Sequence, residues 1–207
     1  MSTFRRRLIS IVLSTNNEPE EDIVIDNNKI YYKSNSGSSI TPYSTTVFGA
    51  NITSNSLGEN GYYILQFDGN VTQVGSNAFR SRSALTNIKL PNTVTSIGER
   101  AFYYCASLEY VDCGENVQTV GASAFSTCET LQTIKLGNSV TSIGQYAFYG
   151  CSNLTSLYCL STTVPTGGYS MFESVSDTCK IYVPTTSVDA YKSAKYWSNY
   201  ADMIIGV

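Results

Sequence analysis

The sequence predicts a repeat solenoid of about five 23-residue coils, opened by a small β cap and closed by a short helical, aromatic cap. Three observations predict it. Nearly the same eleven residues recur, TSIGERAFYYC from Thr95 and TSIGQYAFYGC from Thr141, with QTVGASAFSTC from Gln118 half-way between them. The apolar columns hold register without a gap over four coils, which chance does not produce. Last, a chain with 16 Tyr and many Ser, Thr and Asn suits β structure with hydroxyl-rich faces.

Aligned on phenylalanine, the coils are Val71–Asn92, Thr93–Glu115, Asn116–Asn138 and Ser139–Ser161. A degraded fifth, Thr162–Pro184, places Phe172 after 24 residues instead of 23. One column is Phe79, Phe102, Phe125, Phe148; others are Gly75, Gly98, Gly121, Gly144 and Leu85, Leu108, Leu131, Leu154. Within a coil, Leu85-Thr86-Asn87-Ile88-Lys89-Leu90 alternates like a strand, so Ile88 and Leu90 point inward and Asn87 and Lys89 outward. The next piece, Val94 to Ile97, forms a second short strand, with Gly98 expected to permit the turn. Glu99–Cys105 is too short for a stable α-helix and reads as one helical or 3₁₀ turn that carries Phe102 inward. A single coil buries too little apolar surface to offset the entropy of ordering it, so each turn needs its neighbour as a wall.

Cys105, Cys128 and Cys151 share a column and read as reduced, buried packing thiols, since three in a row cannot all pair. Cys113 and Cys159 lie two coils apart, too far to bridge, and no C-x-x-C spacing suggests zinc. In the first coil Arg82 takes the cysteine column, which implies that this edge is wet or covered by the preceding segment.

The boundaries follow: an N-terminal arm and acidic linker over 1–22, a β cap over 23–70, the solenoid over 71–184 and a C-terminal cap over 185–207. The lead-in reads as short strands between the turn clusters DNN, NSGS, GEN and DGN, with Val24, Ile30, Tyr32, Ile40, Val47, Ile52, Tyr63, Leu65 and Phe67 as its apolar set. After Pro184, Thr186 and Asp189 form a capping-box-like helix start, and Tyr191, Trp197, Tyr200 and Ile204 are the expected plug. On a helix, Phe4, Leu8, Ile11 and Val12 would share one face, an attachment arm for self-association or a partner through residues 1–15. The apolar stretch after Arg7 is shorter than a secretory segment and reads as part of the mature chain.

With 13 Lys+Arg against 16 Asp+Glu the chain carries no electrostatic footprint for nucleic acid, and no apolar run suggests a membrane span. The absence of histidine removes the commonest general base and metal ligand. No phosphate-binding loop or metal-spaced cluster stands in for it, so neither a cofactor nor a metal is expected. Glu109 and Asp112 could be drawn as a glycosidase pair, but a packed coil offers no cleft, and no catalytic residue is expected.

TSIGERAFYYCASLEYVDCGENVQTVGASAFSTCETLQTIKL resembles the BspA-like leucine-rich repeats of bacterial surface proteins, in its Ile-Gly, Ala-Phe, Cys and Leu-x-x-Ile order. IYVPTTSVDAYKSAKYWSNYADMI is similar to that family's C-terminal cap, and NKIYYKSNSG to a lead-in of short BspA-like proteins of gut bacteria. The resemblance implies a right-handed leucine-rich-repeat solenoid and a role in attachment at a cell surface. The opening MSTFRRRL resembles small proteins encoded in gut phage regions, which implies a virion-associated fibre or decoration protein as the alternative.

The expected working surface is the outward side of the strand column: Asn87 and Lys89, Tyr110 and Asp112, Thr133 and Lys135, Ser156 and Tyr158, Lys180 and Tyr182. Tyr110 and Tyr158 are expected two coils apart at one height. Tyrosine gives contact area at low entropy cost, and flanking Lys, Asp and Ser fix hydrogen bonds to a glycan or a protein. The plain alternative is a solvated sheet face, with Asp112 set against Lys89 and Lys135.

Overall fold

The computed structural model describes residues 25–207; the arm residues Phe4, Leu8, Ile11 and Val12, and Val24 of the cap, lie outside the described residues. The chain opens with three antiparallel strands, β1 (Lys29–Ser34), β2 (Ile52–Leu57) and β3 (Tyr63–Phe67). Each coil then contributes one strand to each of two ladders. The pairs are β4 (Gln73–Val74) and β5 (Leu85–Lys89), β6 (Ser96–Ile97) and β7 (Tyr110–Asp112), and β8 (Thr119–Val120) and β9 (Thr133–Lys135). They continue as β10 (Ser142–Ile143) and β11 (Ser156–Tyr158), then β12 (Thr166–Gly167) and β13 (Lys180–Val183). The chain ends in α1 (Val188–Ser193), a kinked 3₁₀ stretch (Trp197–Met203) and β14 (Ile204–Gly206).

The long strands form a nine-stranded sheet in the order β14-β13-β11-β9-β7-β5-β1-β3-β2, and the short ones a five-stranded sheet, β12-β10-β8-β6-β4. Every coil-to-coil pairing is parallel and in register, Ile88 against Val111 against Ile134 against Leu157 against Ile181. The phenylalanine column is fully buried. Its rings stack with centroids 5.3, 5.0, 5.4 and 5.3 Å apart from Phe79 to Phe172. Stacked rings at this spacing add to the stabilisation from burial alone.

The sequence suggested one helical or 3₁₀ turn over Glu99–Cys105, but the segment is not helical. Arg100 and Tyr104 have φ of 53° and 57°, and the equivalent positions Ser123 and Thr127 repeat this at 52° and 58°. The left-handed residues turn alternate amides outward, so the backbone N–H groups of Arg100, Phe102 and Tyr104 donate to Ala122, Ala124 and Ser126 of the next coil. The amides between them close local turns onto Gly98, Arg100 and Phe102. The segment is thus a third ladder. A helix would have spent those amides within one coil and left the stack without them.

The glycine column is also required for a different reason from the one expected. Gly98, Gly121 and Gly144 are not at positive φ. A Cβ on Gly121 would lie 2.6 Å from the carbonyl carbon of Gly98 and from the amide nitrogen of Glu99. Close backbone approach between coils, not turn geometry, excludes a side chain there.

The thiol column is functional in packing. The Sγ atoms of Cys105, Cys128 and Cys151 donate to the carbonyls of Phe79, Phe102 and Phe125 at 3.0, 3.1 and 3.1 Å. Each thiol ties its coil to the one before. Arg82, in the same column, does this with its Nε, which donates to Thr41 O at 2.7 Å. The preceding segment therefore covers this edge. Phe48, fully buried, meets Phe79 edge-on at 5.8 Å, and Val47 O accepts from Gly75 N as Val74 O accepts from Gly98 N.

At the other end Phe172 meets Trp197 at 5.6 Å and Tyr200 at 5.3 Å, and the Trp197 indole donates to Pro165 O at 2.8 Å. The expected capping box does not form. Ser187 is the N-cap of α1 and makes no side-chain cap, because its hydroxyl donates to Thr162 O instead.

Candidate functional site

The parallel register sets the outward residues of the long sheet in two rows. One runs Asn87, Tyr110, Thr133, Ser156, Lys180; the other runs Lys89, Asp112, Lys135, Tyr158, Tyr182, Ile205. Tyr110 and Tyr158 therefore stand in different rows, not at one height as the sequence suggested. Successive side chains of a strand alternate between faces, so each row repeats one side chain per coil at inter-strand spacing.

The surface is less open than an isolated set of strands suggests. Lys89, expected exposed, is buried: β1 pairs with β5 so that Tyr31 sits opposite Lys89, and the ammonium lies 5.6 Å from the centre of the Tyr62 ring. Ser156 is buried too, a short side chain between Thr133 and Lys180 of the flanking strands. Lys135 is exposed, while Asn87, Tyr110, Asp112, Thr133, Tyr158, Lys180 and Tyr182 are half-buried. The site is thus shifted toward the C-terminal coils, because the β cap folds over the first one.

Charge and aromatic rings interleave on the open part. The Lys135 ammonium lies 5.5 Å from the Tyr110 ring centre, a cation–π contact across coils. Asp112 stands between Lys89 and Lys135 in register, and its Oδ1 accepts from Gly114 N at 3.0 Å, which fixes the carboxylate. Tyr158 and Tyr182 stack at 4.6 Å with rings 14° from parallel, and burial followed by Tyr182 itself raises the Tyr158 phenol above its ordinary range. The neighbouring Ile205, 38% exposed, extends this apolar strip onto β14. Nothing in the strand pattern of the repeat marked Ile205; it joins the face only because the chain end pairs with β13.

A second group of tyrosines lies on the turn ladder, where the sequence reading placed no site. Tyr103 and Tyr104 lie together at 6.5 Å, and Tyr146 meets Tyr149 and Tyr169 edge-to-face at 5.8 and 5.5 Å. The signal that could have found them is the outward side of the A-F-Y-x motif, occupied by Tyr103 and Tyr149 in alternate coils. Among the described residues no group of three His, Cys, Asp or Glu could hold a metal, and no helix is long and apolar enough to cross a membrane.

A family model described as the BspA type leucine rich repeat region matches residues 72–200 in six copies, one more than the five coils expected. Comparison with curated proteins gives no match. Among solved structures, a leucine rich cell surface protein from Faecalibacterium prausnitzii shares the fold at 22% identity and TM-score 0.50, over 74% of this chain and 41% of that one. The pneumococcal vaccine antigen PcpA matches at 19% identity and TM-score 0.49, over 66% of this chain and 39% of that one. A leucine-rich repeat protein from Bacteroides capillosus is 28% identical with TM-score 0.41, over 66% of this chain and 96% of that one. The chain thus spans about two fifths of the length of the first two.

Proposed function

This chain belongs to the BspA-type leucine-rich repeat family, and from that premise we propose that it is a non-enzymatic binding module that recognises a protein displayed on a surface. The solenoid is taken as right-handed, with the β cap over 23–70 and the aromatic cap over 185–207 closing its two ends. The observation that carries the reading is the row Asp112, Lys135, Tyr158, Tyr182, Ile205, held side by side by in-register parallel pairing.

A half-buried aromatic strip flanked by charges of both signs has the anatomy of a protein hot spot with a polar rim. A polypeptide is favoured over a glycan because little flat aromatic surface is free. Tyr158 and Tyr182 each cover one face of the other, Lys135 lies over Tyr110, and all three rings are half-buried. The name of the F. prausnitzii relative supports a surface setting.

The test is adhesion of the immobilised full chain to fixed bacterial and epithelial cells, before and after protease treatment of those cells. Binding is expected to vanish with protease and to fall at least about tenfold in Tyr182→Ala with Lys135→Ala, on hot-spot grounds. Adhesion that survives protease, or a double variant that binds like the parent, rejects the reading. Removing residues 1–15 should leave adhesion intact; loss of assembly in that truncation would instead assign the arm to attachment.

A further inference from the structure

The tyrosines of the turn ladder differ from those of the strand face in what their rings do. Tyr146 meets both Tyr149 and Tyr169 edge-to-face, with interplanar angles of 83° and 88°. An edge-to-face contact uses at most one face of a ring, and Tyr169 is 57% exposed. Flat aromatic surface therefore stands open to solvent at Tyr169, whereas Tyr158 and Tyr182 on the strand sheet are half-buried.

The group is built into the backbone of two coils. Tyr146 N donates to Tyr169 O at 2.9 Å, Tyr149 N to Tyr146 O at 3.1 Å, and Gly150 N to Glu173 O at 3.0 Å. Tyr146 itself has φ of 57°, a conformation bulky L residues rarely adopt, in a column otherwise filled by Asn77, Arg100, Ser123 and Ser170. The left-handed backbone is the one every coil repeats here for the ladder; what is particular to this coil is that it carries a large ring.

The rim is polar. Glu173 is exposed and close enough to help raise the phenols of Tyr146 and Tyr200, behind burial and, for Tyr146, Tyr169. Gln145, Ser170 and Ser174 flank it in sequence, and no exposed Leu, Ile or Met lies among them. A protein partner's apolar side chains would find no aliphatic surface here to complete a dry core.

We propose that Tyr146, Tyr149, Tyr169 and Glu173 form a binding site for a neutral pyranose sugar, separate from the strand face. The sugar's C–H face lies on the open Tyr169 ring. Its vicinal hydroxyls donate to the two oxygens of the Glu173 carboxylate, and the remaining hydroxyls pair with the phenols and with Gln145. The carboxylate also sets the sign of the ligand: a uronic or sulfated sugar would meet a like charge.

Affinity electrophoresis of the full chain through gels containing laminarin, xyloglucan, galactomannan or pullulan tests this, with hyaluronate as the anionic control. At least one neutral polymer is expected to retard the chain and hyaluronate is not. Tyr169→Ala should weaken retardation at least about tenfold and Glu173→Gln several-fold, while Tyr169→Trp retains it, since the loss of one ring and of one charge-assisted acceptor is being read. Tyr182→Ala, on the strand face, should migrate like the parent, and thermal melts check that each variant is folded. No retardation in any neutral gel, retardation by hyaluronate, or a Tyr169→Ala chain retarded like the parent overturns the proposal. Adhesion through the strand sheet is read on protease-treated cells with the Tyr169→Ala chain, so that sugar held by the turn ladder does not count as surviving adhesion.

Discussion

Gly121→Ala isolates the close approach of one coil to the next. The added Cβ would stand 2.6 Å from Gly98 C and Glu99 N and 2.9 Å from Gly98 O, where ordinary contact is about 3.5–4.0 Å. About 1 Å must be opened between two coils that the Gly121 N to Ile97 O hydrogen bond, at 2.7 Å, holds together. The obstacle is backbone and cannot rotate away. Overpacking of this kind costs about 1–3 kcal/mol and occasionally more, and the immobility of the obstacle places it near 3. For a chain of this size that corresponds to a fall in Tm of about 6–12 °C by circular dichroism. Gly37→Ala is the control. Its φ is +68° but no atom lies within 4 Å of the new Cβ, so only the left-handed backbone cost of about 1–2 kcal/mol remains. A Gly121→Ala chain that melts within about 2 °C of the parent, or above Gly37→Ala, would refute the close-approach account of the column.

The remaining expectations concern packing, backbone strain and pH. Phe125→Ala deletes a fully buried ring stacked at 5.0 and 5.4 Å on its two neighbours; urea denaturation should show a loss of about 3–5 kcal/mol, and one under about 1 contradicts the spine. Ser123→Gly removes a left-handed φ of 52° from a non-glycine residue, and the relief of about 1–2 kcal/mol less the extra unfolded-state entropy should leave Tm unchanged or raised by a few degrees. A clear fall would show that the Ser123 side chain, not its backbone, matters. Burial pushes the Cys151 thiol up to about 12 and those of Cys159 and Cys179 to about 11. Folded, these thiols stay neutral where the unfolded chain, with thiols near 9, has released its protons. The contribution of these thiols is therefore constant below about pH 8.5 and is lost with rising pH from there to about 11, and to about 12 for Cys151, by up to about 1.4 kcal/mol per pH unit for each thiol. Tm followed from pH 7 to 11 checks this; a Tm constant to pH 10.5 is inconsistent with buried thiols.

The repeat was legible because each of its residues meets its own counterpart one coil away, so a short period carries both the local turn and the long-range partner. The Phe79 to Phe172 stack, the inward Ile88 to Ile181 row and the buried thiols were all readable from that period. Arg82 was legible in part: the lost cysteine left that edge either wet or covered by the preceding segment, and the bond from Arg82 Nε to Thr41 O decides for cover. The turn segment was misjudged where the period says nothing of φ. Alternate left-handed residues at Arg100 and Tyr104 are a property of the stack, which needs those amides, and ordinary residues there hide it.

What the sequence by itself determined is the coil and its stacking, because both depend on neighbours that the same pattern repeats. Only the tertiary structure decided where the working face begins and ends. Lys89 is covered because Tyr62 arrives from the β cap, and Ile205 is added because the last three strand residues pair with β13. Those contacts join segments of unlike sequence and are set by how the non-repeating ends fold back, so no column of the repeat records them.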